Sequence, residues 1–172
     1  LFDMNLLFQA ALGRFLREHL VGYEVREQHR LKGMLTYLPD HNPLRRRSPE
    51  PRPDFVVLGD EGVMALMDAK YRDLWEHSLP RDMLYQLSIY ALSQGREETA
   101  VILYPTTAEA AWEAKIAIRD PLYGGNRAYV ALRPVDLNHL SALVLSEAGL
   151  QSRKAQEAYA RYLALGEGER GF

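Results

Sequence analysis

The sequence predicts an α/β (α+β) fold in which a mixed central sheet is flanked by helices. Three observations carry this expectation. Segments with helical spacing of apolar residues alternate with short apolar runs of strand length, in the order helix, strands, helix, strands, helices. The chain has 172 residues, 47% of them hydrophobic, which suffices for one domain burying about 70% of its unfolded surface. No internal repeat or low-complexity linker divides it, so 1–172 is read as a single domain.

Residues 3–21 begin the fold as an amphipathic helix. Asp3 is its N-cap, and Phe8, Leu12, Phe15, Leu16 and Leu20 recur at helical spacing. Gln9 shares the line of Leu12, Leu16 and Leu20, a polar group beside an apolar face. Residues 23–30 alternate weakly and are expected to form a first strand. The loop that follows gathers five of the nine prolines together with Arg45, Arg46, Arg47 and Arg52. Residues 55–58 and 63–67 are apolar runs on either side of Gly59-Asp60-Glu61-Gly62, the composition of a hairpin loop. A helix is expected over 81–93, with strands at 99–104, 114–118 and 128–132 punctuated by Pro105, Pro121 and Pro134. Helices over 137–148 and 153–165 close the domain, and the terminal Gly-Glu-Gly-Glu-Arg-Gly-Phe is expected to fray.

Composition narrows the function. With 21 basic against 23 acidic residues and a net charge of −2, bulk electrostatics points to neither nucleic acid nor an anionic membrane, so any basic surface must be local. The absence of cysteine excludes disulfides, thiolate zinc sites, cysteine-ligated iron–sulfur clusters and a cysteine nucleophile, and favours a cytoplasmic setting. Apolar stretches are short and broken by charge, so neither a membrane span nor a signal peptide fits. The chain begins at Leu1 rather than Met, and the expectation is a fragment of a longer protein lacking its N-terminal segment.

The hairpin concentrates the chemistry. A three-residue loop of Asp60, Glu61 and Gly62 would pair Gly59 with Val63, and the register would then run back until Asp54 opposes Asp68. Opposed residues have Cβ atoms about 5 Å apart, and two unit charges at that distance repel by about 3 kcal/mol at an effective dielectric near 20. Lys70, two residues beyond Asp68 on the same strand face, offsets part of this repulsion. A divalent cation would offset more. Neither strand holds Cys or His, so the oxygen-only donors favour Mg²⁺ or Mn²⁺ over zinc, with the Ala69 carbonyl completing the set. An isolated Asp-Ala-Lys is more often an exposed ion pair worth about 0–1 kcal/mol. What sets this one apart is its context, with Pro53-Asp54 opening one strand, Asp68-Ala69-Lys70 closing the next, and Gln86 and Tyr90 one helical turn apart.

These elements resemble the PD-(D/E)XK nuclease superfamily, and within it the C-terminal nuclease domains of the McrC family of McrBC-type modification-dependent restriction systems. In that family a Leu-Phe-Glu helix precedes a Pro-Asp strand, an Asp-Ala-Lys-Tyr strand end and an Asp-x-x-x-Gln helix. This chain has Leu7-Phe8-Gln9, Pro53-Asp54, Asp68-Ala69-Lys70-Tyr71 and Asp82 through Gln86, and Gln86-Leu87-Ser88-Ile89-Tyr90 matches a QxxxY element. The likeness covers roughly the first half of the chain, and it departs from the pattern where Gln9 replaces Glu.

The resemblance implies a restriction-endonuclease-like core and a Mg²⁺-dependent (or Mn²⁺-dependent) endodeoxyribonuclease. Asp54 and Asp68 would hold the ion, Lys70 would orient or help deprotonate the attacking water, and Gln86 would position the nucleophile or a phosphate. Tyr90 and Gln9 would support the site. DNA is the implied substrate, and an AAA+ GTPase motor of the McrB type the implied partner. Arginine forks bind oxyanions, so Arg45, Arg46 and Arg47 are candidate phosphate contacts, although a solvated loop is the commoner role of such a run. Two further readings stay open: a RecB-like exonuclease, suggested by the QxxxY element, and a catalytically weak structural or DNA-binding module, suggested by Gln9.

Overall fold

A computed structural model describes residues 3–95, 98–146 and 149–168. The elements in chain order are α1 (Met4–His19), β1 (Glu24–Glu27), β2 (Phe55–Gly59), β3 (Gly62–Ala69), α2 (Arg81–Gln94), β4 (Glu98–Thr106), β5 (Ala114–Arg119), β6 (Asn126–Asp136), α3 (Leu137–Leu145) and α4 (Leu150–Leu165), with a short 3-10 turn at Pro39–His41. The strands form one six-stranded sheet in the order β1-β2-β3-β4-β6-β5. The first three strands and the β5/β6 pair are antiparallel, whereas β3/β4 and β4/β6 are parallel. Parallel neighbours need a crossover connection, and α2 supplies the one between β3 and β4.

Alternation along the strands splits the apolar residues between two cores. Phe55, Val57, Ala65, Met67 and Ala69 face α1, α3 and α4, while Val56, Leu66, Ile102 and Val130 face α2. The result is the mixed α/β architecture expected, with helices on both faces of the sheet. Asp3 caps α1 by accepting hydrogen bonds from the backbone of Asn5 and Leu6. Gly13, inside that helix, has a packing reason: a Cβ there would meet the Glu27 carboxylate and lie 3.1 Å from the Phe55 ring. A helix interior disfavours glycine by about 1 kcal/mol relative to alanine, and here the loss lets α1 lie close against β1 and β2.

Several boundaries differ from the sequence reading. β1 stops at Glu27 because Gln28 turns into the left-handed region with φ +49°. The hairpin loop has two residues rather than three, Asp60 and Glu61, with Gly59 paired to Gly62, whose φ of +117° suits glycine. A bulge at Met64 then restores the register, since Leu58 pairs with Val63 but Val57 with Ala65. β4 and β6 run through Pro105 and Pro134 instead of ending before them. Both prolines lie where the strand has lost a neighbour: β3 pairs with β4 only as far as Leu103, and β5 with β6 only as far as Leu132. A missing N–H is tolerated at such local edges. α4 starts three residues earlier than expected. The expected end of α3 at 147–148 and the tail at 169–172 lie outside the described residues. Among the described residues no helix is long and apolar enough to cross a membrane.

Candidate metal centre

The ends of β2 and β3 bring Asp54 and Asp68 together on the sheet face that carries α2. Phe55 pairs with Met67, so one further step of the antiparallel ladder sets the two aspartates opposite each other. The expected juxtaposition therefore holds, reached through the shorter loop and the bulge. The Asp54 backbone N–H donates to Asp68 Oδ1 at 2.9 Å, and the Ala69 N–H donates to Asp54 Oδ2 at 2.8 Å. Each carboxylate is thus fixed by the other's strand.

Three glutamine amides complete the arrangement. From α1, Gln9 Nε2 donates to Asp54 Oδ2 at 3.0 Å and to the Ala69 carbonyl at 3.4 Å. From α2, Gln86 Nε2 donates to Asp68 Oδ2 at 3.1 Å and to the Tyr90 hydroxyl at 2.8 Å. Gln28, just past β1, donates to Asp54 Oδ1 at 2.6 Å. Asn5, one turn before Gln9, accepts the Tyr71 N–H at 2.9 Å, so the polar end of α1 also holds the chain leaving β3. Tyr71 itself packs edge-on against Phe8, their ring centroids 5.9 Å apart.

Electrostatics marks the pair as strained. Asp68 is only 5% exposed, and its pKa is pushed up to about 7, first by burial and further by the Asp54 charge, against the Asp54 N–H that lowers it. Burial also raises Asp54, while the Ala69 N–H, Gln28 and the Lys70 charge pull it back. Lys70 follows the last residue of β3, its N–H donating to the Leu103 carbonyl at 3.0 Å, and its charge acts on Asp54. No positive side chain figures among the influences on Asp68. Tyr90 is buried and its phenol is raised to about 12, by burial first and then by the Asp68 charge. It is therefore a neutral hydrogen-bonding group, both packed in the core and in contact with Gln86.

This donor set suits a hard divalent ion. An ionised carboxylate offers about four acceptor positions; the hydrogen bonds above occupy three on Asp54 and two on Asp68. Carboxylate oxygens with lone pairs left free are the donor type that Mg²⁺ and Mn²⁺ take in general. Among the described residues no group of three or more His, Cys, Asp or Glu is placed to hold an ion. The acidic complement stops at two, with a neutral amide at Gln9.

Arg45, Arg46 and Arg47 are exposed on their loop. Asn42 closes the turn beneath them, its side chain bonded at 2.8 Å to both the N–H and the carbonyl of Arg46. Of the three, Arg47 lines a cavity, which it shares with Arg30 and Arg52. A larger groove of about 1040 Å³ adjoins the centre at Gln28 and is lined by Arg30, Lys32, Ser93 and Gln94 among others. The sequence reading missed Gln28 and Asn5. Position 28 carries no Gly, Asn or Asp to announce its left-handed backbone, and its place opposite Asp54 depends on the β1/β2 pairing.

Comparison with known proteins follows the same lines. The family model described as "McrBC 5-methylcytosine restriction system component" matches residues 1–105, the stretch that holds Gln9, Asp54, Asp68, Lys70, Gln86 and Tyr90. Among solved structures, a chain of the refined half-complex from the tetradecameric assembly of Thermococcus gammatolerans McrB AAA+ hexamers with bound McrC is 22% identical, with a TM-score of 0.53. The match covers 90% of this chain and 32% of that one, so the present chain spans about a third of its length, and the likeness is one of fold. No curated protein matches.

Proposed function

Because this chain belongs to the family of McrBC 5-methylcytosine restriction system components, we propose that it is the DNA-cleaving module of such a system, a Mg²⁺-dependent endodeoxyribonuclease with a PD-(D/E)XK centre. The observation that carries the reading is the pairing of Asp54 with buried Asp68 at the end of the hairpin, with the Lys70 charge acting on Asp54. A structural pair of like charges is costly, whereas a cation site requires one.

In this reading Asp54, Asp68 and the Ala69 carbonyl would hold the ion. When bound, it supplies charge neutralisation at the scissile phosphate and lowers the pKa of a water. Lys70 orients that water and stabilises the negative charge developing on the phosphoryl oxygens. Gln86, held by Tyr90, positions the nucleophile or a phosphate oxygen. The water oxygen would form the new bond to phosphorus as the bond to the leaving ester oxygen breaks, the water giving a proton to bulk solvent and the leaving oxygen taking one from it, with no covalent enzyme intermediate. Arg30, Lys32, Arg47 and Arg52 line the two cavities that share Arg30, and they offer the local cations that phosphate contacts need in a chain of net charge −2. An AAA+ motor of the McrB type is the proposed partner, and the module is proposed to act in the cytoplasm.

The family match favours this reading over a RecB-like exonuclease. One observation favours a catalytically weak module of the same fold: Gln9 brings an amide N–H, rather than a carboxylate oxygen, to Asp54 and Ala69. Incubation of the chain with a McrB-type motor, GTP and methylated DNA, covalently closed in one arm and linear in the other, tests the alternatives. Cleavage that requires Mg²⁺ or Mn²⁺ and vanishes in Asp68→Ala is expected. Absence of cutting under all these conditions overturns the nuclease reading, and cutting of linear DNA alone favours the exonuclease.

A further inference from the structure

Building on the reading of the aspartate pair as a cation site, we infer that Gln28 is a positioning residue for that site: from the β1 side of the sheet it fixes the Asp54 carboxylate and decides which Asp54 lone pairs stay free for the ion. Gln28 grips Asp54 at two points. Its backbone N–H donates to the Asp54 carbonyl at 3.0 Å, and its Nε2 donates to Asp54 Oδ1 at 2.6 Å, shorter than any other hydrogen bond made by the two carboxylates. With Ala69 N–H and Gln9 both on Oδ2, the Gln28 bond on Oδ1 fixes the rotation of the carboxylate and leaves that oxygen one open acceptor position.

The backbone of Gln28 adds an independent argument. Its φ of +49° lies in the left-handed region, where glycine sits without penalty and a glutamine does not. The turn alone would therefore be better made by glycine. What glutamine adds there, and glycine lacks, is the amide on Asp54. Residues held in such backbone conformations cluster at ligand sites, where the surrounding structure maintains them.

The same strain makes the assignment testable without the usual confusion between folding and function. Gln28→Gly keeps the backbone hydrogen bond and suits the turn, but removes the amide. The probe is Mn²⁺ alone, titrated into the 172-residue chain and followed by the electron paramagnetic resonance signal of free Mn²⁺, with Asp68→Ala as the reference for loss of the site. Gln28→Gly is expected to melt at or above the wild-type temperature and yet bind Mn²⁺ about 10–100-fold more weakly, the usual effect of removing a group that orients a metal ligand. Gln28→Ala is expected to show the same loss of affinity with a lower melting temperature. Wild-type affinity in Gln28→Gly, with Asp68→Ala inactive in binding, overturns the role of Gln28 while leaving the cation site intact. Failure of the wild-type chain to bind Mn²⁺ overturns the cation site itself, and the role of Gln28 with it.

Discussion

Of the charged side chains that are almost fully buried, Arg133 and Asp68 lie on opposite faces of this sheet, and they are treated in opposite ways. Arg133, 3% exposed, is paired with Glu113, donates to the Leu163 carbonyl at 2.8 Å and lies over the Tyr162 ring with 5.8 Å to its centroid. Its charge is answered from three directions, and it ties β6 to the end of α4. Asp68, 5% exposed, faces a second carboxylate, and its nearest donors are an amide and a backbone N–H. A buried charge met by its opposite does structural work. A buried charge met by its like leaves electrostatic demand unfilled, and that demand is what distinguishes a candidate ion site from a core contact.

Breaking the first cluster should have the largest effect on stability. Glu113→Ala strands a buried guanidinium and is expected to destabilise the fold by about 3–5 kcal/mol, measured by urea unfolding, while Mn²⁺ affinity per folded molecule stays unchanged. A parallel loss of affinity would show that the two clusters are coupled.

The second cluster should respond with the opposite sign. Asp68 titrates near 7 when folded against an ordinary 3.8, so between these values the folded protein holds a proton that the unfolded chain releases. Without metal, stability is therefore expected to fall as pH rises from about 4 to about 7 and to level off above. Asp68→Asn should flatten this slope and raise the melting temperature at pH 8 while abolishing Mn²⁺ binding. A metal-free stability that rises through this window would refute the strained pair. Added Mg²⁺ should restore stability most strongly above pH 7, where the site is fully ionised.

The smallest change sharpens the contrast. Gln9→Glu adds a third carboxylate where an amide now donates to Asp54. It is expected to tighten Mn²⁺ about tenfold, roughly 1.4 kcal/mol, and to lower metal-free stability at neutral pH. Unchanged affinity would place position 9 outside the ion's reach.

The sequence by itself determined the alternation of elements, the N-cap at Asp3, the apolar stripe of α1 and the pairing of Asp54 with Asp68, because these rest on periodicity and on a hairpin whose partners are close in the chain. It also carried the family likeness, since the motif residues lie at short, recognisable spacings. Only the tertiary structure decided the Met64 bulge that compensates the shorter loop, the passage of β4 and β6 through their prolines, the bonds by which the expected Gln9 and Gln86 reach the carboxylates, and Gln28 as the third amide beside them. Gln9, Gln28 and Gln86 come from elements far apart in sequence, and hydrogen bonds between them and the aspartates depend on how α1, β1 and α2 dock. No local pattern encodes that docking. It follows from two apolar cores packing on opposite faces of one sheet, and from the absence of a side chain at Gly13 that lets α1 approach.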